Sequence, residues 1–420
     1  ASEVLIFISY KLFGFLGTTT LYAAILTLCI FTLYKICTLL NKQEPNALLI
    51  LWITPIAHGI SGGRTRVFGL LFLAILYFLF LKSRKTNSKL IYLIPLLFFL
   101  WVNFHGSFIL GIFTLIFLIT TDYFFEKNKT VIKFFPIVFL SILATLANPY
   151  FLNSWKQAII MLVNSYQIKE INIDWQPLIN FHNSGWILAL IMGTLLATVL
   201  TFRVKTQIHI KILFVSALIL SLFTSRFAAL LLIFFVPLAQ ATINHFKEKI
   251  PKDKTVLFPI KFALISTSLV LLLLIAQNFV EINFAYKSPQ SYSAHLKTRS
   301  LGSAKYTTWD YTKSEIITRN LKDKRIFTEA NWGSFMLIYE KDRKLYYYGA
   351  MDNFIIDGKS FAHQYLKVVN AQDDFEKELA KYNVEVVFLP STYPLTQNLK
   401  NNPDWHVIYE DDSSSIIVKN

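Results

Sequence analysis

The sequence predicts a mainly α-helical, polytopic membrane protein: a bundle of about ten membrane-spanning helices followed by a small α/β domain. Hydrophobic residues make up 54% of the 420 residues and charged residues only 16%, which is more apolar than a typical soluble domain. The apolar residues occur in ten separate runs. The lysines and arginines lie in short clusters between these runs, as they do in loops that face anionic lipid.

The ten apolar runs all lie within residues 17–280. They cover residues 17–40, 47–60, 67–81, 90–102, 108–125, 134–147, 186–202, 212–224, 227–243 and 256–280. Several runs have only 13 to 15 residues, whereas roughly 20 residues cross the apolar core of a bilayer. Each short run is therefore either a span with polar ends or a re-entrant segment.

The charges of the loops predict the orientation in the membrane. If all ten runs cross, the loops on one side hold 15 Lys and Arg, and the short loops on the other side hold 5. Positively charged loops stay in the cytoplasm, so both chain ends are expected outside. No basic stripe with interleaved aromatic residues is present, and membrane lipid, not nucleic acid, is the expected partner.

Two segments flank the predicted transmembrane domain, which covers residues 17–280. Residues 1–16 are interrupted by Lys11 and predict an interfacial juxtamembrane helix. Residues 281–420 start with a polar stretch and predict a soluble α/β domain on the outer side. In this domain "RIF", "KLYYYG", "VEVVFL", "WHVIYE" and "SIIVK" read as strands, and "YTKSEIITRNLK" and "DDFEKELAKY" read as helices.

Arginines lie at the predicted outer ends of several spans. Arg64 and Arg66 occur in "SGGRTR", and Arg226 occurs in "FTSRFAAL" between two apolar runs. A planar guanidinium group suits a phosphate or carboxylate partner. The alternative for each arginine is anchoring at lipid headgroups.

The stretch "LWVNFHGSFILG" lies in a run of 36 residues that is too long for one span. The chain must therefore turn at residues 103–107, on the outer face. Gly106 is expected to allow the reversal, and Asn103 is expected to bond free carbonyls. Because His105 is needed for neither task, it either contacts a substrate or a catalytic acid, or it hydrogen-bonds locally. The His105 side chain is expected to face the same cavity as Arg226.

The loop sequence "EINIDWQPLINF" contains Asp174 next to Trp175. Asp174 suits contact with a substrate hydroxyl or a metal, and the Trp175 indole suits stacking on a sugar. In the alternative, Trp175 lies at the membrane interface and Asp174 pairs with a loop lysine. No His, Cys and carboxylate cluster has the spacing of metal ligands, so no metal-binding residue is assigned.

Taken in order, several of these segments resemble a largely uncharacterised family of bacterial polytopic membrane proteins in the GT-C glycosyltransferase superfamily. The resemblance runs over essentially the whole chain and rests on "SEVLIFISYKLFG", "RTRVFGLLFL", "LWVNFHGSFILG", "LATLANPYFL", "IDWQPL", "SRFAALLLIFFVPLA" and "IFTEANWGSFMLIYEKDRKLYYYGAMD". It implies an inner-membrane transferase with a periplasmic active site. Such an enzyme moves a sugar from a polyprenyl-phosphate-linked donor to a periplasmic acceptor.

The resemblance also implies roles for the residues singled out above. Transfer needs a carboxylate base, or a divalent metal ion held by carboxylates, and cations that stabilise the phosphate leaving group. The expected catalytic residues are Asp174 and His105, and the expected substrate-binding residues are Arg64, Arg66, Asn103, Trp175 and Arg226.

This sequence departs from the superfamily pattern at its start. The key acid of the superfamily lies in a first outer loop before a juxtamembrane helix, and of a "HEWLSEV"-like motif only "ASEV" is present here. The chain is therefore expected to be N-terminally truncated and impaired in activity. In the outer domain, Asn331 of "NWG" is expected to cap a helix and Gly333 to pack against "KLYYYGAMD".

Two other functions are compatible with this sequence. A transporter or flippase of lipid-linked or anionic solutes needs a polar path to the cytoplasmic side. The span interiors hold few ionisable groups, with Lys35 and Lys261 as the main exceptions. A non-catalytic membrane scaffold that binds partners through its outer domain agrees with the missing acidic loop.

Overall fold

A computed structural model describes two compact units of the chain. The described residues are 1–41, 45, 47–61, 64–86, 88–163, 175–178, 208–249, 321–339, 342–349, 351, 354–356, 359–372 and 374–420. One unit comprises Ala1–Ile159 and Asp174–Phe279, and the other comprises Ile160–Ile173 and Val280–Asn420.

The first unit is built from apolar helices that pack around a large core of buried Leu, Ile and Phe side chains. The α-helices are α1 Ser2–Asn41, α2 Ala47–Ser61, α3 Arg66–Thr86, α4 Ile94–Phe104, α5 Phe108–Phe125, α6 Phe135–Thr145, α7 Leu152–Val163, α8 Ile208–Phe223 and α9 Ala228–Lys249. Short 3-10 helices at Lys89–Leu93, Lys129–Phe134 and Ser225–Phe227 precede α4, α6 and α9.

Within the described residues, four helices are long and apolar enough to cross a membrane. These are Leu16–Asn41, Arg66–Thr86, Phe108–Phe125 and Ser225–His245. The fold confirms the prediction of a mainly helical protein, and the length and composition of these four helices agree with a membrane protein. The predicted spans at 186–202 and 256–280 lie outside the described residues, so the count of ten spans stays a prediction.

Helix α1 is broken at Gly14, which has φ 61° and ψ −147°. A positive φ is readily adopted by glycine and is costly for other residues. The break separates residues 2–13 from the candidate span that begins at Leu16. Ser2 Oγ donates to the Phe104 carbonyl at 2.6 Å, so the first turn of α1 lies against the end of α4.

Helices α4 and α5 form a hairpin that turns at residues 105–107, within the predicted stretch. Gly111 allows α5 to approach α4, because a Cβ atom at this position would lie 2.7 Å from Cη2 of Trp101. The expected need for glycine at Gly106 is wrong. Gly14 is the only glycine with a positive φ among the described residues, and a Cβ at Gly106 would meet nothing within 4 Å.

Asn103 lies at the end of α4 and bonds two carbonyl groups, as predicted. Its Nδ2 donates to the Phe99 carbonyl at 2.8 Å and to the Ala147 carbonyl at 3.1 Å. The first bond runs back four residues within α4, to a carbonyl that is not one of the free carbonyls at the helix end. The second bond ties the hairpin to the chain that follows α6.

The second unit contains a mixed sheet with alternating strands and helices, as predicted for an α/β domain. The strands are β1 Ile326–Thr328, β2 Ile355–Ile356, β3 Lys359–Ser360, β4 Val386–Leu389, β5 Trp405–Glu410 and β6 Ser415–Lys419. The helices are α10 Ala330–Tyr339, α11 Phe361–Val369, α12 Phe375–Lys381 and α13 Pro394–Lys400. The main sheet has the order β1-β4-β6-β5; β1 and β4 are parallel and the other pairs are antiparallel.

Most strands predicted in this unit are confirmed, namely those in "RIF", "VEVVFL", "WHVIYE" and "SIIVK". The predicted helix in "DDFEKELAKY" is confirmed as α12, whereas all but the end of "YTKSEIITRNLK" lies outside the described residues. The predicted strand "KLYYYG" is wrong, because it makes only a single bridge between Leu345 and Ile326. Its tyrosines pack instead into an aromatic cluster, where Tyr347 stacks on Tyr365 with ring centroids 4.2 Å apart.

The segment around "NWG" confirms one expectation and corrects another. Gly333 packs closely as predicted, because a Cβ atom there would lie 2.8 Å from the Tyr347 carbonyl oxygen. Asn331 is not the helix cap, because α10 already begins at Ala330. Glu329 caps this helix, and its Oε2 accepts from the Trp332 backbone N–H at 3.0 Å.

The glycines of the α4–α5 hairpin provide a test of its packing. We expect Gly111→Ala to lower the free energy of unfolding by about 1–3 kcal/mol, because the new methyl group overlaps the Trp101 ring. Gly106→Ala is the matched control and should leave stability nearly unchanged. Thermal unfolding of the two purified variants in detergent measures the difference. Equal stability of both variants would contradict the close approach at Gly111.

Candidate functional site

Three loops bring two arginines and a histidine to one end of the helices. Arg66 is the first residue of α3, His105 lies between α4 and α5, and Arg226 lies in the short 3-10 helix between α8 and α9. The positive charges of Arg226 and Arg66 both act on the His105 ring. We refer to Arg66, His105, Trp175 and Arg226 as the arginine site.

Trp175 joins this site through its contact with Arg226. The Arg226 guanidinium carbon lies 3.9 Å from the centroid of the Trp175 ring, which is the geometry of a cation–π contact. The backbone N–H of Ser225 donates to the Gln176 carbonyl at 2.8 Å. The indole is 6% exposed, so the 175–178 segment packs firmly against the α8–α9 connection.

The hydrogen bonds of His105 determine which of its ring nitrogens carries the proton. The Ser107 backbone N–H donates to Nδ1 at 3.2 Å, so Nδ1 is an acceptor. Ser107 Oγ lies 2.7 Å from the same nitrogen and itself accepts from Trp101 Nε1 at 3.0 Å. The neutral ring therefore carries its proton on Nε2.

The surroundings of His105 keep it neutral. Burial lowers the pKa of His105 to about 4, and the charges of Arg226 and Arg66 act in the same direction. A neutral ring whose Nδ1 is occupied donates through Nε2–H and does not accept a proton readily. This chemistry suits the binding of an anion's oxygen better than general base catalysis.

Helix α3 packs directly on this hydrogen-bonded turn. A Cβ atom at Gly69 would lie 2.6 Å from Ser107 Oγ and 3.1 Å from His105 Nδ1. Because no side chain fits there, Gly69 allows the helix that carries Arg66 to lie against the turn that carries His105.

The remaining residues that the sequence assigns to the site are not part of the arginine site as the structure describes it. Arg64 is exposed in the turn before α3, and Asn103 bonds the carbonyls of Phe99 and Ala147. Asp174 lies outside the described residues. Among the residues with described positions, no group of three or more His, Cys, Asp or Glu side chains could hold a metal ion.

A second group of charged residues, not foreseen from the sequence, lies at the opposite ends of the same helices. Arg84 Nη2 lies 2.7 Å from Asp122 Oδ1, with exposed fractions of 11% and 1%, and joins the end of α3 to the end of α5. Asn128 Nδ2 donates to the other carboxylate oxygen of Asp122 at 3.1 Å. This pair is buried and oriented from both sides.

The second pair joins the end of α5 to the start of α8. Glu126 Oε1 accepts from the His209 backbone N–H at 3.3 Å and lies 3.2 Å from His209 Nδ1. The carboxylate therefore satisfies a free N–H at the amino end of α8. The His209 side chain is 1% exposed. The His209 ring is charged only when it is protonated, so this contact is a hydrogen bond between the ring and the carboxylate, and Arg84–Asp122 is the ion pair of the group. We refer to Arg84, Asp122, Glu126 and His209 as the paired-charge cluster.

This cluster corrects the expectation that Lys35 and Lys261 are the main ionisable groups inside the spans. Asp122 is buried within α5, Lys35 lies with its Nζ 5.1 Å from the centroid of the Phe31 ring, and Lys261 lies outside the described residues. A sequence signal was available. Asp122 and Glu126 are four residues apart, on one helix face at the end of an apolar run, where acids are costly unless they are paired.

Comparisons with known proteins leave the family resemblance a prediction. No protein-family model matches this sequence, and no curated protein matches it either.

The lowered pKa of His105 predicts a pH dependence of stability. Between pH 6.5 and about 4, the unfolded chain binds a proton that the folded protein does not, so stability falls as the pH falls through this range. We expect this loss to reach about 1–3 kcal/mol, allowing for partial exposure of the ring. His105→Asn keeps an acceptor for Ser107 and should remove this part of the loss.

Thermal unfolding at pH 7.5 and pH 4.5 measures the effect. His363→Asn, at an exposed position in the other unit, serves as the control and should keep the pH dependence of the wild type. An unchanged pH dependence in His105→Asn would show that the ring is not held neutral.

Proposed function

We propose that this protein is a membrane glycosyltransferase that transfers a sugar from a polyprenyl-phosphate-linked donor to a periplasmic acceptor. The observation that carries the proposal is the meeting of Arg66, His105 and Arg226 at one end of the helices. Two guanidinium groups and a neutral N–H donor match the oxygens of a phosphate group.

In the proposed reaction, the acceptor hydroxyl attacks the anomeric carbon of the donor sugar. The bond from this carbon to the phosphate oxygen breaks, and its electron pair leaves with the polyprenyl phosphate. Arg66, Arg226 and His105 Nε2–H stabilise the negative charge that develops there. We assign Asp174, the neighbour of Trp175, as the base that takes the hydroxyl proton.

The proposed topology has ten spans in a bacterial inner membrane, with the arginine site and the 281–420 domain on the periplasmic side. The excess of Lys and Arg in the opposite loops supports this orientation. The loops at 61–66, 103–107 and 225–226 alternate along the chain with those at 82–89, 126–133 and 203–211. The arginine site draws on the first set, and the paired-charge cluster draws on residues in or next to the second, as alternate crossing requires.

A transporter or flippase is the second candidate, because ionisable groups lie at both ends of these helices, in the arginine site and in the paired-charge cluster. Transport also needs a polar path between the two ends. The buried side chains between them on α3, α5 and α8 are mostly Leu, Ile and Phe within the described ranges. The hydroxyls of Thr114 and Ser221 bond carbonyls of their own helices, so they provide no such path.

The proposed reaction is tested with the natural full-length protein in proteoliposomes and a panel of polyprenyl-phosphate donors with radiolabelled sugars. We expect sugar transfer by the wild type and a loss of about 100-fold or more in Arg226→Ala and Arg66→Ala, the scale of removing a donor from a developing anion. Lys156→Ala is the matched control, because Lys156 is an exposed cation of a predicted outer loop.

Three results would overturn the proposal. Donor that crosses the bilayer without sugar transfer would indicate a flippase. No donor consumption across the panel would favour the scaffold. Equal losses in Lys156→Ala and Arg226→Ala would remove the arginine site from the reaction.

A further inference from the structure

We infer that the paired-charge cluster positions the arginine site from the other end of the helices. Arg84, Asp122, Glu126 and His209 are then positioning residues, and this role rests on the proposed function of the arginine site. The inference starts from which helices the two groups share. Each of α3, α5 and α8 contributes to both groups or borders both of them.

The sharing can be followed along each helix. Helix α3 begins with Arg66 and carries Arg84 in its last turn. Helix α5 begins directly after Ser107, close to His105. It carries Asp122 in its last turn, and Glu126 is the residue that follows its last residue. Helix α8 carries His209 in its first turn and ends two residues before Ser225, the neighbour of Arg226.

The apolar contacts between these helices are less directional than ion pairs and hydrogen bonds. Membrane helices also lack the strong hydrophobic drive that brings helices together in water. Ion pairs and hydrogen bonds are directional. The Arg84–Asp122 pair fixes α3 against α5, and the Glu126–His209 pair fixes α8 against α5.

Stability alone does not explain a buried charge pair. Replacing such a pair with apolar side chains of similar volume is often neutral or stabilising, whereas removing one partner is strongly destabilising because it leaves a buried charge uncompensated. Directional pairing that specifies one arrangement is the better-supported use of buried charges. In this protein, the arrangement that they specify is that of α3, α5 and α8.

Because the helices are long, a small change of tilt at one end produces a large displacement of the residues at the other end. Helix α8 has 16 residues, which is about 24 Å at 1.5 Å per residue. A tilt of about 10° at His209 then moves the Arg226 end by about 4 Å. Such a displacement exceeds the range of hydrogen-bond distances to a phosphate oxygen.

A charge swap tests this inference on the full chain in lipid nanodiscs. Arg84→Asp and Asp122→Arg each place like charges together, and the double variant Arg84→Asp/Asp122→Arg restores an opposite pair. Glu126→Gln weakens the second pair more mildly and keeps the test usable if the single reversals do not fold. Lys129→Glu is the charge-reversal control, because Lys129 is exposed at the same end.

The first readout needs no ligand. Spin labels at Thr65→Cys and Phe223→Cys report the distance between the Arg66 end of α3 and the Arg226 end of α8; the native Cys29 and Cys37 are buried and left in place. We expect the distance distribution to shift or broaden by several ångströms in the single variants and in Glu126→Gln. It should return toward the wild type in the double variant and stay unchanged in Lys129→Glu.

The second readout is the affinity for undecaprenyl phosphate added to the nanodiscs. We expect a loss of tenfold or more in the single variants, with recovery in the double variant and no loss in Lys129→Glu. Wild-type distances in the single variants, or a double variant that remains shifted, would overturn the inference. Shifted distances with unchanged phosphate affinity would overturn it too. If the wild type itself does not bind the phosphate lipid, the proposed function fails, and the distances still decide whether the pairs position the helices.

Discussion

A polar group buried among hydrocarbon side chains is costly unless it finds a partner within the protein, and this cost shapes the polar ends of the first unit. An unsatisfied buried polar group costs several kcal/mol, and a lone charge costs more. The described helices accordingly carry most of their charges at their ends, where loops and neighbouring helices supply partners. Asp122 is the clearest case. It is nearly fully buried and is held by Arg84 on one side and by Asn128 on the other.

The same constraint determines the chemistry of the α4–α5 hairpin. Trp101 needs an acceptor for its indole N–H, and Ser107 provides one while it also bonds His105. The resulting chain of hydrogen bonds fixes the proton of His105 on Nε2. Local packing thereby makes this histidine a neutral N–H donor on the side of Arg66 and Arg226.

Local patterns in the sequence were enough to predict those helices and strands that are determined by composition and by the spacing of apolar residues. The bounds of α5 and the strands β5 and β6 follow from composition and spacing alone. The sequence also identified the turn around His105, because a 36-residue apolar run must reverse. It failed for "KLYYYG", where the packing of Tyr346 and Tyr347 with residues far along the chain outweighs the strand preference.

Close approaches between helices were beyond prediction for the same reason. Gly106 looked essential, since it lies in the turn, yet Gly111 and Gly69 are the glycines that packing requires, because they face Trp101 and the Ser107 turn. The paired-charge cluster joins Arg84 to Asp122 and Glu126 to His209, separations of about 40 and 80 residues that no local spacing rule covers. The sequence shows that the two acids, Asp122 and Glu126, are four residues apart. It does not show which residues pair with them, because the tertiary structure determines these partners.

The two polar ends together bear on the choice between a transferase and a transporter. A protein that alternates between inward and outward states must separate contacts at one end in every cycle, and breaking a buried ion pair costs several kcal/mol. The Arg84–Asp122 ion pair and the hydrogen bonds between Glu126 and His209 both oppose such a movement of α3, α5 and α8. A transferase needs the reverse property, because donors that stabilise a leaving group act best when they are already in place before the bond breaks. Helices fixed at one end by directional pairs, with cations and a neutral N–H donor at the other, meet that requirement.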